Sequence, residues 1–270
     1  MNSQAVVPYS SSDSTFKTDR VNVLGVGISA INMQDAVDRC HDLISSDGKG
    51  YVCVTGVHGV TEAQHDPKFR EILNKSFLTT PDGMPMVWVG RVRGFGRIER
   101  VYGPDFMWEL CRQSVERGQT HFLYGGKEGT ADCLGQVLKT AFPGIQIVGT
   151  YTPPFRPLTN DEKVSLKTRI REVHPDVMWV GLSTPKQERF MAEYLGQLEV
   201  KLMIGVGAAF DIHTGQVKDA PSLMKSVGLQ WLHRLWQEPK RLWRRYLINN
   251  PLFVWRICMQ FLGIRRYAIE

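Results

Sequence analysis

FLYGGKEGTAD, residues 122–132, opens as an apolar, β-prone run and continues, beyond Gly125 and Gly126, with the spacing of a helix that reaches residue 141. A strand, a glycine turn and a helix in that order make half of a βαβ unit, and the flanking sequence repeats the alternation. Strands are predicted over 21–24, 51–55, 76–79, 121–124, 145–149, 177–180 and 202–204. Helical spacing runs over 35–45, 84–91, 105–117, 130–141, 161–173 and 185–195. The expected fold is α/β, a doubly wound, mostly parallel Rossmann-like sheet, with ligands gathered at the strand C-termini.

A chain of 270 residues can bury the core of one large domain of this kind. Its five cysteines are scattered, without a C-x-x-C pair, so neither a disulfide framework nor a zinc site is indicated and a reducing cytosol fits. Residues 1–20 are rich in Ser, Thr and Asp and lack an apolar run, which reads as a disordered lead-in rather than a secretory signal. No uninterrupted apolar window is long enough to cross a bilayer, so the protein is expected to be soluble or peripheral. The net charge of +6 sits entirely in residues 229–270, where eight Arg and Lys face two Glu. The expected organisation is therefore a lead-in over 1–20, an α/β domain over 21–228 and a C-terminal basic amphipathic helical appendage over 229–270, suited to an acidic surface.

Several turns at the predicted strand ends carry chemistry-bearing side chains. In TTPDGMPMVW (79–88), Asp82 stands between Pro81 and Gly83, as turn chemistry or as a carboxylate at the ligand edge of the sheet. VTGVHG (54–59) ends a strand with Thr55 and His58, the latter a base or ordinary surface. RVYGPDF (100–106) offers Arg100 as an anion clamp and Asp105 as a helix cap. In GLSTPKQER (181–189), Lys186 and Gln187 enter the first turn of a helix behind Pro185, where Gln187 can bond a sugar or phosphate.

Glycine pairs come next. Gly125 and Gly126 let backbone N–H groups approach a phosphate at a helix N-terminus, or make a tight turn. IGVGAAFDIHTGQ (204–216) repeats that logic and adds Asp211 as an acceptor for a ribose or base. LGVGIS (24–29) matches a dinucleotide loop loosely, without a clean helix behind it, and keeps a nicotinamide-dependent oxidoreductase as an alternative. No Asp-x-Asp pair occurs, so the usual carboxylate clamp for a divalent metal on a nucleotide diphosphate is missing, and Arg, Lys and helix N-termini would meet that charge. The tail sets Leu232, Leu235, Trp236, Leu242 and Trp243 at helical spacing against Arg234, Arg241 and Arg245, which suits an anionic membrane surface first, with core packing of the Leu/Trp stripe and then nucleic acid as the alternatives.

Six ordered segments, TTPDGMPMVW, RVYGPDF, FLYGGKEG, GLSTPKQERF, GVGAAFDIHTGQVKDAP and LQWLHRLWQEPKRLWRRYL, closely resemble the WecG/TagA/CpsF glycosyltransferases from about residue 21 to residue 247. The resemblance implies inverting transfer of a sugar from a UDP-sugar to a polyprenyl-diphosphate-linked saccharide at the cytoplasmic membrane face, with no cofactor and no required metal. It casts Asp82 as the general base, puts Thr55, Arg100 and Gln187 in the polar pocket, and sets Gly125, Gly126 and Asp211 on the nucleotide side. Thr55 and Gln187 join Asp82 in the expected catalytic set. His58, Lys186, Arg234, Arg241 and Arg244 join the substrate-binding set, the arginines against a diphosphate leaving group. Where members typically carry an asparagine shortly after the threonine, this chain reads Gly56-Val57-His58. A second copy of the chain is a candidate partner, and a non-catalytic membrane adaptor is the other alternative, one with no use for Asp82.

Overall fold

In the computed structural model, residues 18–269 are described, and the lead-in expected over 1–20 lies almost wholly outside them. The chain opens with β1 (Arg20–Val23) and β2 (Val26–Ser29), then α1 (Met33–Ser45). Asn32 and Asp35 cap α1 reciprocally, and its Ala36, Val37, Cys40, Leu43 and Ile44 recur every three or four residues and are buried. There follow β3 (Gly50–Thr55), α2 (Val57–Glu62), α3 (Pro67–Asn74), β4 (Leu78–Pro81), α4 (Met84–Val92) and α5 (Gly103–Ser114). The alternation continues through β5 (Thr120–Gly125), α6 (Thr130–Ala141), β6 (Gln146–Tyr151), α7 (Asn160–Val173), β7 (Val177–Gly181), α8 (Lys186–Tyr194) and β8 (Leu202–Gly205). Helices α9 (Ala209–His213), α10 (Ser222–Ser226), α11 (Gln230–Gln237), α12 (Pro239–Leu247) and α13 (Asn249–Phe261) close the chain.

Six strands form a wholly parallel sheet in the order β4-β3-β8-β7-β5-β6. The central strands are near-continuous apolar runs because both faces are covered. Alternate residues supply two cores: Tyr51, Cys53, Tyr124, Met178 and Val180 pack with residues of α3, α4 and α8, whereas Val52, Leu123, Trp179 and Ile204 pack with α1, α5 and α6. Every parallel strand therefore ends on the same edge, and Thr55, Pro81, Gly125, Gly181 and Gly205 mark that edge.

The strand predicted over 21–24 exists but does not join the parallel sheet. β1 pairs antiparallel with β2, and the turn between them is Leu24-Gly25, both at positive φ (53° and 84°). Two such residues match the twist of a hairpin, so the loosely dinucleotide-like LGVGIS is a hairpin turn and not the start of a βαβ unit. The Arg20 guanidinium clips this hairpin to the connection between α3 and β4, donating to the carbonyl oxygens of Asn74 (3.1 Å) and Ser76 (2.5 Å). β4 lies two residues later than predicted, so Asp82 is the first residue beyond its end.

The C-terminal helices differ among themselves. α13 buries Phe253 and Ile257 in the same core as the hairpin and α3. Its Gln260 accepts from the Leu24 N–H (3.1 Å) and donates to the Asn22 carbonyl (3.2 Å), while the Asn22 side-chain amide donates to the Tyr267 carbonyl (2.6 Å). α11 and α12 bury Leu242 alone and leave Trp236 86% exposed, with Trp243 half-exposed. Among the described residues no helix is long and apolar enough to cross a membrane.

Candidate active site

β3 and β4 lie side by side with Thr55 opposite Pro81, so their end loops emerge together. Asp82 is held there from three directions. Its N–H donates to the Thr55 carbonyl (3.1 Å), its own carbonyl accepts from Arg100 Nε (2.7 Å), and Oδ1 accepts from the Gly103 N–H (3.2 Å). Gly103 is the first residue of α5, so the carboxylate sits on the positive end of a helix dipole. Oδ2 has no hydrogen-bond partner among the described residues and faces the space over Gly56, where a β-carbon would stand 3.7 Å away. The result is a half-buried carboxylate with one oxygen fixed and one open.

That open oxygen looks into a cavity of about 640 Å³. Thr55, His58, Asp82 and Arg100 line it from the sheet edge, and Arg234, Arg245, Tyr246 and Asn250 line it from the C-terminal helices. The Arg245 and Arg234 Nε atoms are buried without a hydrogen-bond partner. Burial, then the neighbouring Arg234, lower the Arg245 pKa, while Tyr246 and Asp82 oppose the shift. Two half-buried guanidiniums, each with an unbonded Nε, beside an open carboxylate form a receptacle for an anion next to a proton acceptor.

A second layer steadies Arg100. Its guanidinium donates to Gln230 Oε1 and lies 4.3 Å over the Tyr102 ring. Tyr102 Oη and Gln230 Nε2 both donate to Asp219 Oδ1 (3.0 and 3.3 Å), and Lys225 Nζ donates to Asp219 Oδ2 (2.9 Å). Burial alone would raise the Asp219 pKa, but the bonds from Lys225 and Tyr102 outweigh it and hold the carboxyl below its ordinary value. His58 is neutral, since burial and then Arg245 push its pKa down to about 3 against a hydrogen bond to the Thr184 backbone.

Comparison with known proteins gives the family to which this site belongs. The model of the Glycosyl transferase WecG/TagA/CpsF family matches residues 21–267. The chain belongs to the WecG/TagA/CpsF glycosyltransferase family. Two curated relatives are N-acetylglucosaminyldiphosphoundecaprenol N-acetyl-beta-D-mannosaminyltransferases. That of Bacillus spizizenii is 32% identical over 72% of this chain and 72% of its own length. That of Bacillus subtilis is 30% identical over 67% of this chain and 69% of its own. The protein is an enzyme, a glycosyltransferase.

Within this WecG/TagA/CpsF glycosyltransferase, the expected site residues do not all converge. Asp82, Thr55, His58, Arg100 and Arg234 share the cavity. Gln187 does not line it. Buried on α8, it donates to Glu188 Oε1 (3.1 Å) and accepts from the Gly207 N–H (3.0 Å), knitting the β7 end to the β8 end. Lys186 is exposed at the start of α8. Gly125 and Gly126 lie further along the same sheet edge, where a β-carbon on Gly125 would fall 2.6 Å from the Gly181 oxygen. Asp211, on α9, is partly buried and follows Phe210, whose ring a β-carbon on Gly126 would meet at 3.5 Å, and Gln216 beyond α9 donates to Thr130 at the start of α6 (2.9 Å). Arg241 pairs with Glu238, and Arg244 lies 5.2 Å over the Trp243 ring, both exposed and outside the cavity lining.

Sequence reasoning passed over Tyr102, Lys225, Gln230 and Asp219, and it left Arg245 unranked among the tail arginines. Asp219 lies inside the quoted segment GVGAAFDIHTGQVKDAP, but nothing in its spacing pointed to Arg100, which Gln230 links to it.

Proposed function

We propose that this glycosyltransferase moves a sugar from a UDP-sugar to a polyprenyl-diphosphate-linked saccharide, in a single inverting displacement for which Asp82 is the general base. The supporting observation is the open Oδ2 of a dipole-held carboxylate, facing a cavity whose other walls carry Arg100, Arg234 and Arg245. Asp82 takes the proton of the acceptor hydroxyl as that oxygen bonds to the anomeric carbon. The anomeric C–O bond to phosphate breaks on the opposite face, and its electron pair leaves with UDP. Guanidiniums suit that departing charge because they offer paired donors to phosphate oxygens.

Thr55 borders the acceptor, and Gln187 acts from behind as a positioning residue by holding Gly207. Gly125, Gly126 and Asp211 belong to the nucleotide side of the same edge. The names of the relatives make N-acetylmannosamine the first sugar to try and an N-acetylglucosaminyl-diphospholipid the first acceptor. Exposed Trp236 and Trp243 beside the tail arginines support peripheral docking on the inner face of an anionic membrane.

Base catalysis contributes about 10²- to 10⁴-fold in rate. Asp82→Asn is expected to lose turnover by that order in a UDP-release assay, with UDP affinity and melting temperature retained. Near wild-type transfer by the Asn variant refutes the assignment. The same assay in EDTA is expected to keep its rate, and strict dependence on Mg²⁺ or Mn²⁺ would overturn the metal-independent reading.

A further inference from the structure

The cavity changes character along its length. At one end stand Asp82, Arg245 and Asn250, beside the N-termini of α4 and α13. Further along, both helices line it with apolar stripes at helical spacing, Met84, Trp88 and Val92 on α4 and Phe253, Ile257 and Phe261 on α13. The two helices meet again at their far ends, where the Arg93 guanidinium lies 4.7 Å over the Phe261 ring. That end is open to solvent: Val92 and Leu262 are each 72% exposed, with exposed Arg91 and Arg93 beside them. A mouth of exposed aliphatic groups ringed by arginine has the composition of a surface resting on anionic headgroups.

We infer that the α4–α13 groove binds the first isoprene units of the acceptor's polyprenyl chain, drawing the lipid out of the bilayer to Asp82. This rests on the glycosyltransferase reading above. Three features select this occupant. The groove is continuous with the end that holds the open carboxylate and the unpartnered arginine nitrogens, so a diphosphate seated there points its lipid along the groove. Its walls beyond Met84 offer hydrocarbon and no carboxylate. α4 runs nine residues, about 13 Å at helical rise, which suits a few isoprene units lying between Asp82 and the mouth.

The test uses the full-length protein without donor, membrane or micelles, and reads tryptophan fluorescence. The probes are inorganic diphosphate and geranyl, farnesyl and geranylgeranyl diphosphate. Affinity is expected to rise about tenfold or more with each added unit that enters the groove, since tenfold corresponds to burying only about two methylene-sized groups of the five carbons in a unit. Val92→Glu and Val254→Glu change exposed groove positions, so the fold should persist, as a melting curve checks. Both should abolish the chain-length dependence while leaving inorganic diphosphate binding within about twofold. Equal affinity for all three prenyl diphosphates overturns the inference, as does chain-length dependence untouched by both substitutions or appearing only with vesicles. A change of oligomeric state in Val254→Glu would mark the groove as an interface between copies and also overturn it. Because no sugar is transferred, these results stand or fall separately from the Asp82 assay.

Discussion

His58 and His121 are neutral for the same first reason, burial, yet they serve different ends. His121 accepts from Trp179 Nε1 (3.1 Å) through Nδ1 and pairs with Ser114 Oγ (2.6 Å) through Nε2, deep in the second core. Burial, reinforced by His41 and opposed by Asp176, lowers its pKa to about 4. Below the unfolded value of 6.5 the unfolded chain binds the proton that the folded chain refuses. The His121 contribution is thus complete above pH 6.5 and is lost as pH falls toward 4, to the extent of on the order of 3 kcal/mol. His121→Gln keeps an acceptor for Trp179 and removes the titration. Urea unfolding between pH 7 and pH 4 should show the wild type losing more stability than this variant, and parallel curves would refute the account. Arg245 shows what a residue-by-residue reading cannot rank. Arg244 and Arg245 are adjacent in sequence, and only the packing of α12 through Leu242 turns the second of them inward.

At the scale of elements, the turn after β5 carries a steric demand of its own, apart from the nucleotide-side role proposed for it. Gly125 has φ +129°, and any β-carbon there would collide with the Gly181 backbone of β7. Gly125→Ala should therefore cost about 2 kcal/mol or more by forcing β5 and β7 apart, beyond any loss of nucleotide binding. A thermal melt within a degree of wild type, with weakened UDP binding, would give the glycine a purely ligand-facing role. The apolar runs of β5, β7 and β8 were legible in sequence because a strand buried on both faces leaves few polar residues. β1 misled for that reason: a short apolar run reads alike in a hairpin and in a parallel sheet, and the Leu24-Gly25 turn lacks the usual Asn or Asp. α2 and α3 were missed because they are only six and eight residues long, although Asp66 before Pro67 is a sound helix-start signal. Asp82, Thr55 and Arg100 could be placed at one edge from motif order. The Asp219 network could not, since its members converge only through tertiary folding of α10 and α11.

For the whole molecule, the tail has two separable parts. Trp236 and Trp243 are exposed and can be lost without disturbing the core, whereas α13 contributes Phe253 and Ile257 to it. Replacing both tryptophans with alanine should weaken binding to anionic vesicles about tenfold or more with an unchanged melting temperature. Deleting residues 249–270 should lower that temperature by several degrees, since it strips buried side chains and the Gln260 bonds from the hairpin. Equal vesicle binding by the double variant, or an unshifted melt after the deletion, would refute the division. The clasp between Gln260 and the hairpin also bears on how the enzyme is made. Leu24 and Gln260 are 236 residues apart, so a ribosome adding about 5–20 residues per second spends roughly 10–50 s between making one and the other. β8, which pairs with β3, ends only at Gly205, so the sheet edge that carries Asp82 can close only in the last part of that interval, and a message cut short upstream of α13 is expected to yield a chain that lacks the α13 wall of the cavity.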